Sequence, residues 1–461
     1  MEVVADLHLH SKYSRAVSPE MIIPNMVLWA KIKGINLMGT GDFTHPLWLR
    51  ELKEYLEEDK GILSFKGGEH VRFSQCKEDQ VKFLLTTEIS SIYREASSSA
   101  YSQGGKTRKI HNIVIAPSFF AVEKINQELK SRGCNLSSDG RPIIGLSAKD
   151  LLDLVLSVDE NCLLIPAHIW TPWFSLFGSK SGYDSIEECF GNLSKHIYGI
   201  ETGLSSDPAM NWQVKDLNNR QILSFSDAHS PANLGRELTV LEIEKLGYQE
   251  FREAIMGIKV HPEGLPRGGK VAYTVEFYPE EGMYHYTGHR NCGVKQTPLE
   301  TEKLGTTCPV CGKPLTVGVM HRVMQLSSQK EQSTKNTVQR DNCGVRWIGK
   351  ENRTPYVSLV PLREIIAEVK GVGKSSKKVE EEYQKLIGVF GNELSILLKI
   401  KTEKISEVGG EKLAEGINKV RSGDIYIDPG FDGEYGTVKI WPDKNDMVTK
   451  EKNEQTNLFV N

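Results

Sequence analysis

The sequence predicts an α/β protein: a parallel sheet or α/β barrel of alternating strands and helices, followed by a small metal-binding segment and a helical module. Three observations carry this. Up to about residue 260, short apolar runs of β-type residues alternate with stretches of helical periodicity. Several of those runs end in histidine or a carboxylate, as barrel strands do where side chains from distant segments converge at one end. Beyond about residue 270 the texture changes to glycines, aromatics and paired histidines and cysteines.

Taken in order, Val3 to Leu7 reads as the first strand. A helix follows from Ser18-Pro19-Glu20 to a stop before Gly34, since serine caps a helix and proline suits its first turn. INLMGT is the next strand, a helix covers about 46–58, and VKFLLTTEI and IHNIVIA are further strands. The helix from Phe119 to Arg132 ends at Gly133, a natural left-handed cap, and another begins at Ser147. CLLIPAH, HIYGIET and QILSFSDAH complete the alternation. SSQKEQSTKNTVQRDN, residues 327–342, is polar and reads as a flexible linker, and a helical module runs from about Pro361 to Arg421. The boundaries drawn are 1–268, 269–330, 331–442 and a charged tail, 443–461.

A length of 461 residues exceeds one ordinary core and implies two or three domains. The 39% hydrophobic and 25% charged content is that of a globular protein rather than a disordered one. A net charge of −3 means that any phosphate-binding surface must gather its basic residues locally. MEVVADLHLHS has no secretion-signal pattern and no apolar stretch is long enough to span a bilayer, so the expected location is cytoplasmic, nucleoid-associated if DNA is the partner, with no membrane role. Eight cysteines in such a chain are core thiols plus a metal site rather than disulfides; Cys76, Cys134, Cys162 and Cys189 are scattered and read as structural.

His8 and His10 lie two positions apart, which puts both rings on one face of a strand, and Asp227 and His229 repeat the spacing. With Asp42, Glu88, His111 and His168 at other strand ends, they form a mixed nitrogen and oxygen set suited to zinc, manganese or iron. DLHLHS, TTEIS, KIHN, PAHIW and SDAH resemble, in order, the successive motifs of the polymerase-and-histidinol-phosphatase (PHP) superfamily. That resemblance implies a distorted (β/α)7 barrel hydrolysing phosphate esters with two or three divalent metals, zinc with manganese or magnesium as alternatives. It implies His8, His10, Glu88, His111, His168, Asp227 and His229 as ligands, Glu88 bridging. Two motifs depart from the family: Phe43 stands in GDFTH where a histidine is usual, so Asp42 or His45 must supply any ligand there, and SKYSRA lacks a further histidine. Asp207 is a further carboxylate, read either as a proton shuttle or extra ligand beside Glu88 and Asp227, or as a helix cap before Pro208.

His289 and Cys292, then Cys308 and Cys311, are pairs with two residues inside each and fifteen between them, a spacing suited to one structural zinc. His285 is an alternative to His289, and Cys343 falls outside the spacing. Gly371 and Gly373, with Lys370, Lys374, Lys377 and Lys378, read as the hairpin of a helix-hairpin-helix element that meets DNA phosphates, or as an ordinary interhelical turn. GTGDFTHP, YHYTGHRNC, CPVCGKPLTVGVMHRV, VPLREIIAE and PGFDGEYG together resemble the endonuclease Q family over residues 1 to 440. The resemblance implies cleavage 5′ to deoxyuridine, deoxyinosine, deoxyxanthosine or an abasic site in single- or double-stranded DNA. Trp170, Trp173, Phe174 and Trp212 are candidates to stack on an extruded base, with core packing as the alternative for each. Gln455, Leu458 and Phe459 in the tail resemble the peptide with which bacterial repair proteins dock on the sliding clamp. The competing readings are a PHP phosphoesterase acting on a small phosphate monoester and a non-catalytic DNA-binding scaffold.

Overall fold

Apart from Glu2, every residue of the first strand, β1 (Glu2–Asp6), is buried, as in a strand covered on both faces. The computed structural model describes residues 1–67, 81–95, 105–257, 269–328 and 335–442. They fall into two compact units, the first comprising Met1–Lys31, Ile35–Gly203 and Asp216–Ala272, the second Ile32–Gly34, Leu204–Lys215 and the chain from Tyr273 onward.

In the first unit, β1 pairs in parallel with β2 (Leu37–Gly39) and antiparallel with a late strand, Leu238–Glu242. The helix expected from Ser18 starts at Ile23, because Ser18 to Met21 close a turn first. The helix from Pro46 stops at Tyr55, and the chain turns into β3 (Leu56–Asp59) and β4 (Ile62–Phe65). Lys60 and Gly61 sit between them at φ 49° and 82°, the left-handed pair a two-residue hairpin needs.

β5 (Lys82–Arg94) pairs in parallel with β2 but antiparallel with β6 (Thr107–Ala116), in register from Leu85↔Ala116 to Arg94↔Thr107. β7 (Ile143–Ile144) adds to β5 in parallel, and β8 (Leu163–Pro166) pairs antiparallel with β6. The sheet is therefore mixed where the alternating pattern predicts parallel neighbours. No helical periodicity separates TTEI from IHNI, and consecutive strands without a crossover element pair antiparallel. Ser147, where a helix start was expected, caps Ala148–Val158, and Ser118 caps Phe119–Ser131. β9 (Gly199–Glu201) and β10 (Gln221–Leu223) form a separate parallel pair. Ala5, Leu7, Leu37, Leu84, Ile113 and Phe225 pack into the core beneath.

In the second unit, Tyr356–Ser358 runs parallel to Lys270–Glu276 and antiparallel to Arg346–Gly349, which pairs with Thr337–Arg340. That last strand, wholly exposed, lies within the stretch read as a linker; it is held by backbone pairing, which hydropathy does not reveal. Helices Leu362–Lys370, Lys377–Phe390, Glu393–Leu398, Thr402–Gly409 and Glu411–Ser422 bury Ile365, Val379, Leu386, Ile405 and Ile417. Among the described residues no helix is long and apolar enough to cross a membrane.

Candidate metal centre

Beyond β1 the chain stays extended, so Leu7 and Leu9 face one way and His8 and His10 the other. A parallel bridge between Leu9 and Ala228, with His10 N–H donating to the Ala228 carbonyl at 3.1 Å, brings Asp227 to the same place. Each ring is oriented through Nδ1: His8 bonds Glu201 Oε1 at 2.8 Å, and His10 bonds Asp42 Oδ1 at 3.1 Å. That leaves both Nε2 atoms aimed inward with Asp227 Oδ1, 3.2 Å from that of His10 and 3.7 Å from that of His8. All three atoms are buried without a hydrogen-bond partner, a costly arrangement that a cation coordinated by all three removes.

A second triad stands beside the first. His111 pairs in register with Ser90, two positions from Glu88 on β5, and His168 follows β8, the other neighbour of β6. Glu88 Oε1 lies 2.6 Å from His111 Nδ1 and 3.1 Å from His168 Nε2, while its Oε2 lies 3.3 Å from His10 Nε2 and 3.6 Å from His8 Nε2. One carboxylate thus addresses both triads. In each triad the ligand atoms lie within 4.8 Å of one another. The two sets, each two nitrogens and a carboxylate oxygen, fit zinc or manganese.

Burial opposes charge on His8 and His10, yet Glu201, Asp227 and Glu88 around the first and Asp42, Asp227 and Glu88 around the second hold both well above the ordinary imidazole range. The field that keeps protons on those rings also attracts a divalent cation. Burial brings His111 down to about 4, the neutral form a metal requires. Asp42, His168 and Asp227 have φ of 49°, 30° and 46°, left-handed values that non-glycine residues rarely adopt and that gather at functional sites.

The other expected site residues are placed as follows. Asp42 is engaged by the groups around it: its Oδ2 accepts from Ser11 N–H, Ser11 Oγ and Ser14 Oγ at 2.6, 2.6 and 2.9 Å. His45 stacks on Tyr13 and contacts the Ser137 carbonyl. His229 lies 4.7 Å from His10 between ring centroids, with Nδ1–H donating to the Asp227 carbonyl. Asp207, in the second unit, caps the helix Pro208–Asn211 through Oδ1 and accepts from Tyr356 Oη through Oδ2, the capping alternative. Trp170 and Trp212 are 1% and 2% exposed and packed on Phe177 and Tyr356, which removes them from the reach of a base. Trp173 is exposed, and Phe174 is half-buried against the His111 ring. Two residues escaped sequence reasoning: Glu201, whose only signal was a carboxylate closing a short apolar run, and Arg141, which donates to Glu88 Oε2 at 3.1 Å.

In the second unit His289, Cys292, Cys308 and Cys311 converge with ligand atoms within 4.8 Å of one another. His289 and Cys292 bracket the turn between strands Thr287–His289 and Val294–Gln296, and Gly312 at φ 72° closes the Cys308–Cys311 knuckle. Burial pushes the Cys308 thiol up, but backbone N–H groups of Cys311 and Val310 outweigh it and bring it to about 6, favouring the thiolate. His285 instead donates to the Pro279 carbonyl. Gly371, at φ 63°, ends the helix Leu362–Lys370; Lys370 pairs with Glu382 and Lys374 with Glu364. Gln455, Leu458, Phe459 and Cys76 lie outside the described residues.

Comparison with known proteins bears on both units. The MJ0043 C-terminal domain family matches residues 361–424. Protein MJ0043 of Methanocaldococcus jannaschii is 32% identical over 289 residues, 61% of this chain; the match covers 32% of that relative's length. The crystal structure of the lesion-specific endonuclease PfuEndoQ from Pyrococcus furiosus shares 31% identity at a TM-score of 0.76, over 97% of this chain and 99% of that one. A structure of endonuclease Q with a 27-mer duplex substrate carrying an abasic lesion at the active site shares 32% identity at a TM-score of 0.76, over 97% and 98%. The mixed α/β fold is therefore that of an endonuclease class. The chain belongs to the endonuclease Q family.

Proposed function

We propose that the chain cuts damaged DNA by hydrolysing the phosphodiester 5′ to a deaminated base (deoxyuridine, deoxyinosine or deoxyxanthosine) or an abasic site, at a PHP-type centre holding two divalent cations. The observation that carries this is Glu88, whose two oxygens face two histidine-containing triads at once. Bound there, a metal pair would supply a nucleophile at neutral pH and neutralise the attacking and leaving oxygens. Asp42, fully engaged by Ser11, Ser14 and His10, supports two cations rather than three. Glu201 and Asp42 fix the tautomers of His8 and His10 so that Nε2 is the ligand atom. Asp227 and His229 are partly open, so the centre can be reached from solvent on their side.

Deaminated bases pair weakly and cost less to extrude, and the exposed Trp173 and the Phe174 ring against His111 are offered to a flipped nucleotide. His289, Cys292, Cys308 and Cys311 hold one structural zinc. The turn Gly371 to Gly373, with Lys370 and Lys374, grips DNA phosphates. The QTNLF segment of the tail supports docking on a sliding clamp.

The test is a labelled duplex with a single deoxyuridine or abasic site, incubated with zinc or manganese and with chelator. The expected outcome is one metal-dependent nick, abolished in His10→Ala and Asp227→Ala proteins that still shift the duplex in a gel. Normal cutting by either variant removes the assignment, and turnover of para-nitrophenyl phosphate without any nick replaces the nuclease with a small-molecule phosphatase.

A further inference from the structure

The centre has a closed floor and an open rim. His8, His10 and Glu88 side chains are 1% exposed or less, whereas Asp227, Arg141 and His229 are 25%, 28% and 32% exposed. An incoming phosphate therefore meets Arg141 at the edge of the bridging carboxylate. Three backbone bonds hold this residue in place. Gly140 N–H donates to the Tyr13 carbonyl at 3.0 Å, Arg141 N–H to Asp139 Oδ1 at 3.1 Å, and Ser90 N–H to the Pro142 carbonyl at 3.0 Å, two positions along β5 from Glu88. Gly140 passes so near the floor that a Cβ there would lie 2.3 Å from Asp42 Oδ2.

A guanidinium carries five N–H donors, and among the described residues that of Arg141 makes one hydrogen bond, to Glu88 Oε2 at 3.1 Å. A guanidinium keeps its proton at any pH the protein meets, so the group is cationic. A phosphodiester presents two non-bridging oxygens whose charge grows as attack proceeds, and a planar fork of N–H groups matches them better than a lysine ammonium does.

We propose that Arg141 is a catalytic residue binding a non-bridging oxygen of the scissile phosphodiester, an inference resting on the hydrolysis proposed above. It steadies that oxygen while the water oxygen bonds to phosphorus, the ester P–O bond breaks and the departing oxygen takes up the equivalent of the proton the water gives up; Arg141 keeps its own protons throughout.

The test compares the unaltered chain with Arg141→Ala and Arg141→Lys under single turnover on an abasic-site duplex. Zinc content is measured by mass spectrometry, and inorganic phosphate is titrated into the zinc-loaded proteins. Arg141→Ala should cut about 10²–10³-fold more slowly, keep its zinc and DNA affinity, bind phosphate more weakly, and regain rate with added guanidinium. Arg141→Lys should fall between the two. Unchanged cutting or unchanged phosphate binding overturns the proposal, and so does zinc loss in proportion to rate, which would make Arg141 a support for Glu88. If the unaltered, zinc-loaded chain leaves the duplex intact, the nuclease reading fails and takes this role with it; cutting that Arg141→Ala matches removes the role alone.

Discussion

Glu201 serves both triads from a buried position: Oε1 accepts from the His8 ring and Oε2 from the backbone N–H of His168, each at 2.8 Å. Glu201→Gln leaves the shape intact but turns an NH2 toward one of those donors. Metal affinity should fall about 10–100-fold, read by titration of the apo-protein; an unchanged isotherm removes the orienting role. Gly203, at φ 57°, faces the same histidine, and a Cβ there would lie 2.3 Å from the His168 Cβ. Gly203→Ala should therefore cost on the order of 1–3 kcal/mol and lower metal occupancy, both visible in thermal unfolding with and without zinc. The residues that converge in the triads could be singled out because chemistry and spacing coincide: HLH and DAH repeat with the period of a strand. Arg141 could not, since a loop arginine has no periodicity and is delivered by the Ser90–Pro142 backbone bond.

The elements explain which parts of the site could be read in advance. Ser147 and Gly133 announce helix ends through their own chemistry, and the helices are where they imply. Strand direction is different: an apolar run reads the same either way, so the antiparallel β5–β6 pairing that sets Glu88 beside His111 was not visible in composition. Likewise Thr337–Arg340 hides among polar residues because backbone partners alone define it. Two predictions belong here. Cys311→Ser should release one zinc equivalent and lower the unfolding temperature, as metal binding is folding free energy; full zinc retention counts against the four-ligand site. Replacing Lys370 and Lys374 with alanine should weaken DNA binding across all sequences and flatten its salt dependence by about one unit per lysine, measured by anisotropy over a salt series. An unaltered slope assigns those lysines to Glu382 and Glu364 alone.

At the scale of the molecule, the two compact units divide the candidate chemistry: one carries both triads, the other the His289, Cys292, Cys308 and Cys311 cluster and the C-terminal helices. If Glu88 serves two ions, as proposed above, one carboxylate common to both would make their filling interdependent. A first ion held there would turn the Glu88 carboxylate from a partner of histidine rings into a preset half of the neighbouring seat, so a second would enter more easily. Cells short of the metal would then hold mostly wholly charged or wholly empty copies, and incision would switch on over a narrow range of supply. Glu88→Gln should flatten that response into two ordinary, separate binding steps.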